Sequence, residues 1–195
     1  MEDCLELIID YRGKTPKKLG AEWSLTGIPA ISAKNIKYGK LIRPETFKYV
    51  DENLYKKWMK DELQYGDIIM TSEAPLGELL FLNSNEKYVL SQRLLGLRAN
   101  HRVSPYFLFS FLNSSEGSYK ILSRASGTTV FGIRQSELRK VKIIIPPKEF
   151  IEQFDKQAEL FYSKIANNNY QIRTLEKMRD TLLPKLMSGE VKVEI

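Results

Sequence analysis

The chain has 195 residues, 43% of them apolar, and a formal net charge of +6; that is enough material for a core, which excludes wholesale disorder and suggests one or two domains. No run of about 18 uncharged apolar residues occurs, and the first residues, MEDCLELIID, are acidic, so a spanning helix and a secretory or mitochondrial-type leader are not expected and a soluble cytoplasmic protein is. One cysteine, Cys4, and one histidine, His101, exclude an internal disulfide and a zinc cluster, and neither a metal nor a cofactor is expected.

In chain order, the first β-like run is 27–33 (GIPAISA), followed by a helix opening at Asp51 (DENLYKKWMK), with an acidic cap and apolar residues at helical spacing. Further β-like runs are expected at 67–72 (DIIMTS), 78–82 and 88–98, with glycine, proline or asparagine between them. A second helix is predicted from Ser104, where Ser-Pro supplies a cap and then proline at the first helical position. Residues 141–145 (VKIII) read as a buried strand that closes this part of the chain, ended by Pro146-Pro147. The expected fold class is α+β: a mixed, mostly β domain over 1–147, then one long helix and tail over 148–195.

That helix is announced by period. Ile151, Phe154, Ala158, Phe161, Ile165, Asn168, Ile172, Leu175, Arg179, Leu182 and Leu186 fall at alternating steps of three and four. A sustained 3.5 spacing with apolar a and d positions is the coiled-coil pattern, and a lone polar position such as Asn168 can set register. From 148 to 183 the helix would run about 54 Å. Its apolar seam calls for another helix, the alternative being that it docks along its own domain.

Charge is unevenly placed. From Arg12 to Arg43 the chain carries 8 basic groups against one acid, and from Lys87 to Lys142 it carries 10 against 2, whereas Pro44 to Glu86 is acidic, 4 against 9. Two basic blocks around an acidic one predict a cationic face and a polyanionic partner, nucleic acid first. Arg12, Lys14, Lys17 and Lys18 lie in a loop punctuated by glycine and proline, suited to phosphates. Lys34, Asn35 and Lys37 follow a strand, and Gln92 and Arg93 are expected within one. Asn and Gln can bond adenine, and Arg guanine, through two hydrogen bonds. The stretch SGTTVFGIRQ places Thr128, Thr129 and Arg134 among glycines, a composition fit for holding phosphate; it reads equally as a turn that packs Val130 and Phe131 into the core. Its GxxxxG lacks the Lys-Ser/Thr of a phosphate-binding loop.

Several stretches together resemble the specificity subunits of type I restriction-modification systems: DYRGKTPKK, IPAISAKNIKYGKL, GDIIMTSEAPLGE, LSQRLLGLR, SGTTVFGIRQSELRKVKIIIPP and RDTLLPKLMSGEV, in that order. The resemblance implies a target-recognition domain that binds double-stranded DNA through loops and strands, followed by a helix. It implies that full subunits carry two such pairs with their helices antiparallel, and that they dock the methyltransferase (modification) subunits and, through them, the restriction subunits. With one pair only, the chain fits either a natural half-subunit or a truncated subunit; as a half-subunit it is expected to form a homodimer whose two readers face inverted half-sites about one helical turn, 34–36 Å, apart.

Catalysis is not expected. The one Pro-Pro is flanked by Ile145 and Lys148, unlike an adenine-methyltransferase motif, and Asp67, Glu73 and Glu78 read as turn residues beside strands, not as metal-binding carboxylates. The competing readings are a fragment of a DNA-modifying enzyme and a coiled-coil module that binds no DNA.

Overall fold

The stretch IIMTS shows no alternation, and every one of its residues is buried in the computed structural model, which describes residues 1–191; a run without a polar face fits a strand covered on both sides. In chain order the elements are β1 (Leu5–Ile9), β2 (Ile28–Ile31), β3 (Ile36–Lys37), β4 (Lys40–Leu41), β5 (Lys48–Val50), α1 (Glu52–Trp58), β6 (Ile68–Ser72), β7 (Leu76–Phe81), β8 (Val89–Leu90), β9 (Leu94–Ala99), α2 (Pro105–Asn113), α3 (Ser115–Leu122), α4 (Gln135–Arg139) and α5 (Lys148–Met187). The chain divides into two compact units, Met1–Asp155 and the residues from Lys156 on. The fold class is α+β.

In the first unit, β6 lies inside an antiparallel sheet of order β1-β9-β6-β7. A second sheet has the order β5-β2-β8, with β2 antiparallel to β5 and parallel to β8, and β3 and β4 form a small hairpin. Ile9, Ile31, Val50, Tyr55, Trp58, Ile69, Leu90 and Leu94 belong to one buried cluster drawn from both larger sheets and α1. The helices begin where their caps place them. Asp51 accepts from Leu54 N at 2.7 Å to open α1, and the Ser104 hydroxyl accepts from Phe107 N at 3.0 Å with Pro105 next in the chain. Ser114 caps α3 in the same way, at 3.1 Å from Gly117 N.

Three expectations are corrected. Residues 141–145 are not a strand: Val141 is buried, but Ile144 and Ile145 are exposed and the segment joins no sheet. An apolar run becomes a strand only where a ladder partner is free, and here the Lys142 carbonyl accepts instead from Lys120 Nζ at 3.1 Å. The run 88–98 is two strands in different sheets, β8 and β9, broken at Arg93, whose φ of +65° leaves the extended region. Gln92 and Arg93 therefore sit in a turn and not within a strand. The long helix runs past the expected end at 183, through Pro184, to Met187; at 40 residues it is about 60 Å long.

The first residues of α5 belong to the domain. Ile151 is buried, Phe154 meets Phe107 edge-on at 6.4 Å, and the Ser104 hydroxyl donates to Asp155. Ile151 is therefore not free for a dimer seam, contrary to expectation; Ala158 is also buried. Beyond them, Phe161, Ile165, Ile172, Leu175, Leu182 and Leu186 keep the heptad spacing and are all exposed, as are Asn168 and Arg179. No helix among the described residues is long and apolar enough to cross a membrane.

Candidate nucleic-acid interface

The turn Ser91–Arg93 is the place where the basic segments meet. Ala33 N donates to the Gln92 carbonyl at 3.2 Å on one side, and Ser72 N donates to the Arg93 carbonyl at 2.8 Å on the other. Ile133 N in turn donates to the Ser72 carbonyl at 2.9 Å. Four segments far apart in sequence are thus laced together: the residues after β2, the β8–β9 turn, the end of β6 and the residue that follows the Ser126–Gly132 loop.

On the Gln92 side lies a cleft of about 190 Å³ lined by Lys14, Lys34, Lys48, Gln92, Trp23 and Ser32, among others. Trp23 packs on buried Trp58 with ring centroids 5.9 Å apart, and Lys48 Nζ sits 5.2 Å above Trp23. A second cleft, about 340 Å³, shares Thr15 and Trp23 with the first and includes Lys17. Lys14 is half-buried: its ammonium donates to the Trp58 carbonyl at 2.8 Å and lies 4.2 Å over the Tyr11 ring, and burial lowers its pKa. Lys17 and Lys34 are exposed and make no ion pair among the described residues, while Lys18 donates to the Gly13 carbonyl at 2.8 Å. Trp23, Thr15 and Lys48 were not picked out from the sequence; Lys48 lies inside the acidic block, and only the β5–β2 pairing brings it to the cleft.

The Arg12 side chain is paired. It donates to Asp10 from Nε at 2.8 Å and from a terminal nitrogen at 2.6 Å, and this hydrogen-bonded carboxylate raises its pKa. Lys37 is not brought to the cleft. It sits on the β3–β4 hairpin with its ammonium 4.8 Å over Tyr38, whose N–H donates to Glu78 Oε2 at 2.9 Å.

The Ser126–Gly132 loop is closed by a reciprocal pair of backbone hydrogen bonds, 2.9 and 3.1 Å, between its end residues. Gly127 is required there: φ is +138°, and a Cβ would fall 2.0 Å from the Val130 carbonyl oxygen. Thr128 and Thr129 are exposed, and Val130 and Phe131 are exposed too, so the alternative of a turn packed into the core does not hold. Arg134, also exposed, precedes α4.

Asn35 is corrected from a candidate base reader to a structural residue. It is 1% exposed; its Oδ1 accepts from Ser32 N and Oγ at 3.0 Å each, and Nδ2 donates to Thr46 Oγ1 at 2.9 Å. A buried amide whose hydrogen bonds are all internal has nothing to offer a base edge. Asn35→Ala should lower unfolding free energy by about 2–3 kcal/mol, since it leaves several buried groups without partners. Urea denaturation measures this, and wild-type stability would remove the assignment.

The carboxylates are engaged by protein groups. Asp67, 1% exposed, accepts from Arg98 Nε at 2.9 Å and from a terminal nitrogen at 2.8 Å, while Glu73 pairs with Arg93 at 3.0 Å. Among the described residues no group of three His, Cys, Asp or Glu is placed to hold a metal ion.

Residues 3–176 match the family described as Type I restriction modification DNA specificity domain. The putative type I restriction enzyme MjaX specificity subunit of Methanocaldococcus jannaschii is 27% identical over 198 residues, covering 98% of this chain and 45% of that protein. The type I restriction enzyme HindI specificity subunit of Haemophilus influenzae is 26% identical over 182 residues, covering 92% and 39%. In fold the chain is similar to the S subunit of a type I restriction-modification system from M. genitalium, with a TM-score of 0.62 at 16% identity, over 96% of this chain and 44% of that one. The chain thus spans less than half the length of these relatives.

Proposed function

This chain belongs to the type I restriction-modification DNA specificity domain family, and from that premise we propose that it is a recognition component that grips double-stranded DNA with the cationic surface of Met1–Asp155. The exposed heptad positions of α5 then pair with the same helix of a second copy, antiparallel, so that two readers address inverted half-sites. The paired helices dock methyltransferase subunits and, through them, restriction subunits. The chain contributes recognition while the partners carry out the chemistry.

The observation that carries this reading is convergence. Lys14, Lys17, Lys34, Lys48 and Gln92, scattered over four segments of sequence, line two clefts that share Thr15 and Trp23. Lysines serve as mobile phosphate ligands, and each neutralised phosphate releases counterions, so affinity falls with salt by about 0.9 in log–log slope per contact. Exposed Lys17 belongs to this group, and exposed Lys18 is its neighbour in the chain. Replacing both with alanine should weaken binding to all duplexes alike and reduce the slope by about two, measured by fluorescence anisotropy from 50 to 300 mM salt, roughly the range over which counterion release dominates. A slope equal to that of wild type would put this loop away from the DNA. In the host, deleting the gene should erase one bipartite methylated motif, whose halves and spacing give the half-sites; an unchanged methylome would overturn the proposal.

A further inference from the structure

One side chain at the interface stands apart from the lysines. Arg93 takes a positive φ, +65°, a conformation that costs a non-glycine residue about 1 kcal/mol or more and persists where surrounding structure enforces it. Its carbonyl is held by Ser72 N at 2.8 Å, and its neighbour Gln92 is held by Ala33 N at 3.2 Å. Its guanidinium is held as well, because Glu73 Oε1 lies 3.0 Å from Nε. Glu73 itself has little freedom at its base. It bridges Gly132 across the backbone, and a Cβ on Gly132 would come within 3.1 Å both of Glu73 Cβ and of the Ser72 carbonyl oxygen. Glu73 also acts electrostatically on Arg12. Even so, about half of the Arg93 side chain is exposed, 49%.

Resting on the DNA-binding reading, we propose that Arg93 is a sequence-determining residue that recognises a guanine in the major groove, and that Glu73 is the positioning residue that aims it. The physical reason is a division of labour. A phosphate ligand needs charge and reach, which free lysines supply. A base-edge ligand needs a fixed direction, and its own charge is of little use. The Glu73 carboxylate sits at Nε and leaves the two terminal nitrogens to form the parallel pair of donors that fits guanine O6 and N7. With its charge largely balanced, Arg93 adds little to counterion release. With its rotamer fixed beforehand, it loses little entropy when it binds.

The test is selection of bound sites from a randomised duplex library by the full chain, followed by affinities on the winning duplex and on its single-base variants. Wild type should enrich a motif containing a G·C pair that Arg93→Lys and Arg93→Gly no longer select. The glycine variant also suits the positive φ, so loss of fold does not confuse the result. Discrimination at that one position should fall about ten- to a hundredfold, with other positions and the salt slope unchanged. Glu73→Gln should relax the same position more weakly, and in an Arg93→Gly background it should have no further effect, which a merely structural role would not predict. An unchanged motif in both Arg93 variants overturns the inference, as does uniform weakening on all sequences with a slope lower by about one, the mark of a phosphate contact. If wild type shows no salt-dependent binding to any duplex, the DNA-binding reading fails first and this inference with it.

Discussion

On the proposed pairing of α5 with its copy, aspartate at both Ile165 and Ile172 should leave the chain monomeric. These side chains are 47% and 48% exposed, on a helix whose Phe161, Leu175 and Leu182 are exposed at the other position of the same heptad seam. A helix with that seam is satisfied by a second helix. Burying a branched aliphatic side chain fully contributes about 1.5–3 kcal/mol, and an unpaired carboxylate in its place costs several kcal/mol more. With each position doubled by the two-fold, I165D/I172D should raise the dimer dissociation constant by at least about a thousandfold, at roughly 1.4 kcal/mol per factor of ten. Sedimentation velocity at micromolar concentration reads this directly. Because neither residue is buried within the single chain, thermal unfolding of the Met1–Asp155 unit should be unaffected, which separates lost association from lost folding. A double variant that still sediments as a dimer would mean that a different surface joins the copies. Ile151, already buried in the Met1–Asp155 unit, would be the wrong place for this test: aspartate there attacks packing within that unit.

Arg98→Ala should be the most damaging single substitution in the recognition unit. Asp67 lies at the start of β6 with its side chain 1% exposed, and Arg98 on β9 is 15% exposed. The two share a pair of hydrogen bonds at 2.9 and 2.8 Å, Asp67 Oδ2 also accepts from Gln64 N at 2.9 Å, and Arg98 donates to the Glu62 carbonyl at 2.8 Å. The hydrogen bonds to the Asp67 carboxylate raise the Arg98 pKa. Removing the arginine strands a buried carboxylate, at a cost of about 3–5 kcal/mol, which for a chain of this size lowers Tm by roughly 10 °C or more. Calorimetry checks the shift. Asp67→Leu with Arg98→Met should recover much of the loss, because an apolar pair of similar volume avoids desolvating two ions. If Arg98→Ala melts with wild type, the pair does not contribute this stability.

Much that matters here is local chemistry, and the sequence alone determined it. The cap at Asp51 and the Ser-Pro at 104 specify helix starts through bonds to backbone groups three residues away, so no distant partner is needed to foresee α1 and α2. The heptad phase of α5 is likewise a property of spacing, and the segregation of basic from acidic blocks is visible in the letters. Tertiary structure decided which of these residues face outward. Asn35 and Lys34 are adjacent in the chain, looked alike as ligands and line the same cleft, yet the Asn35 amide is buried and spent on Ser32 and Thr46 while Lys34 is exposed. The run from Tyr88 to Arg98 is β-like throughout, but β8 pairs with β2 and β9 with β1 and β6, and that choice of partners forces the turn that presents Gln92 and Arg93. Residues 141–145 are more apolar than several true strands and form none, because they join no ladder: Val141 is buried while Ile144 and Ile145 are exposed, and the Lys142 carbonyl is taken by the Lys120 ammonium. The reason is the same in each case. Period and capping depend on neighbours a few residues away, whereas burial, ladder pairing and the gathering of charge at a cleft depend on backbone groups dozens of residues distant, whose availability no short window of sequence records.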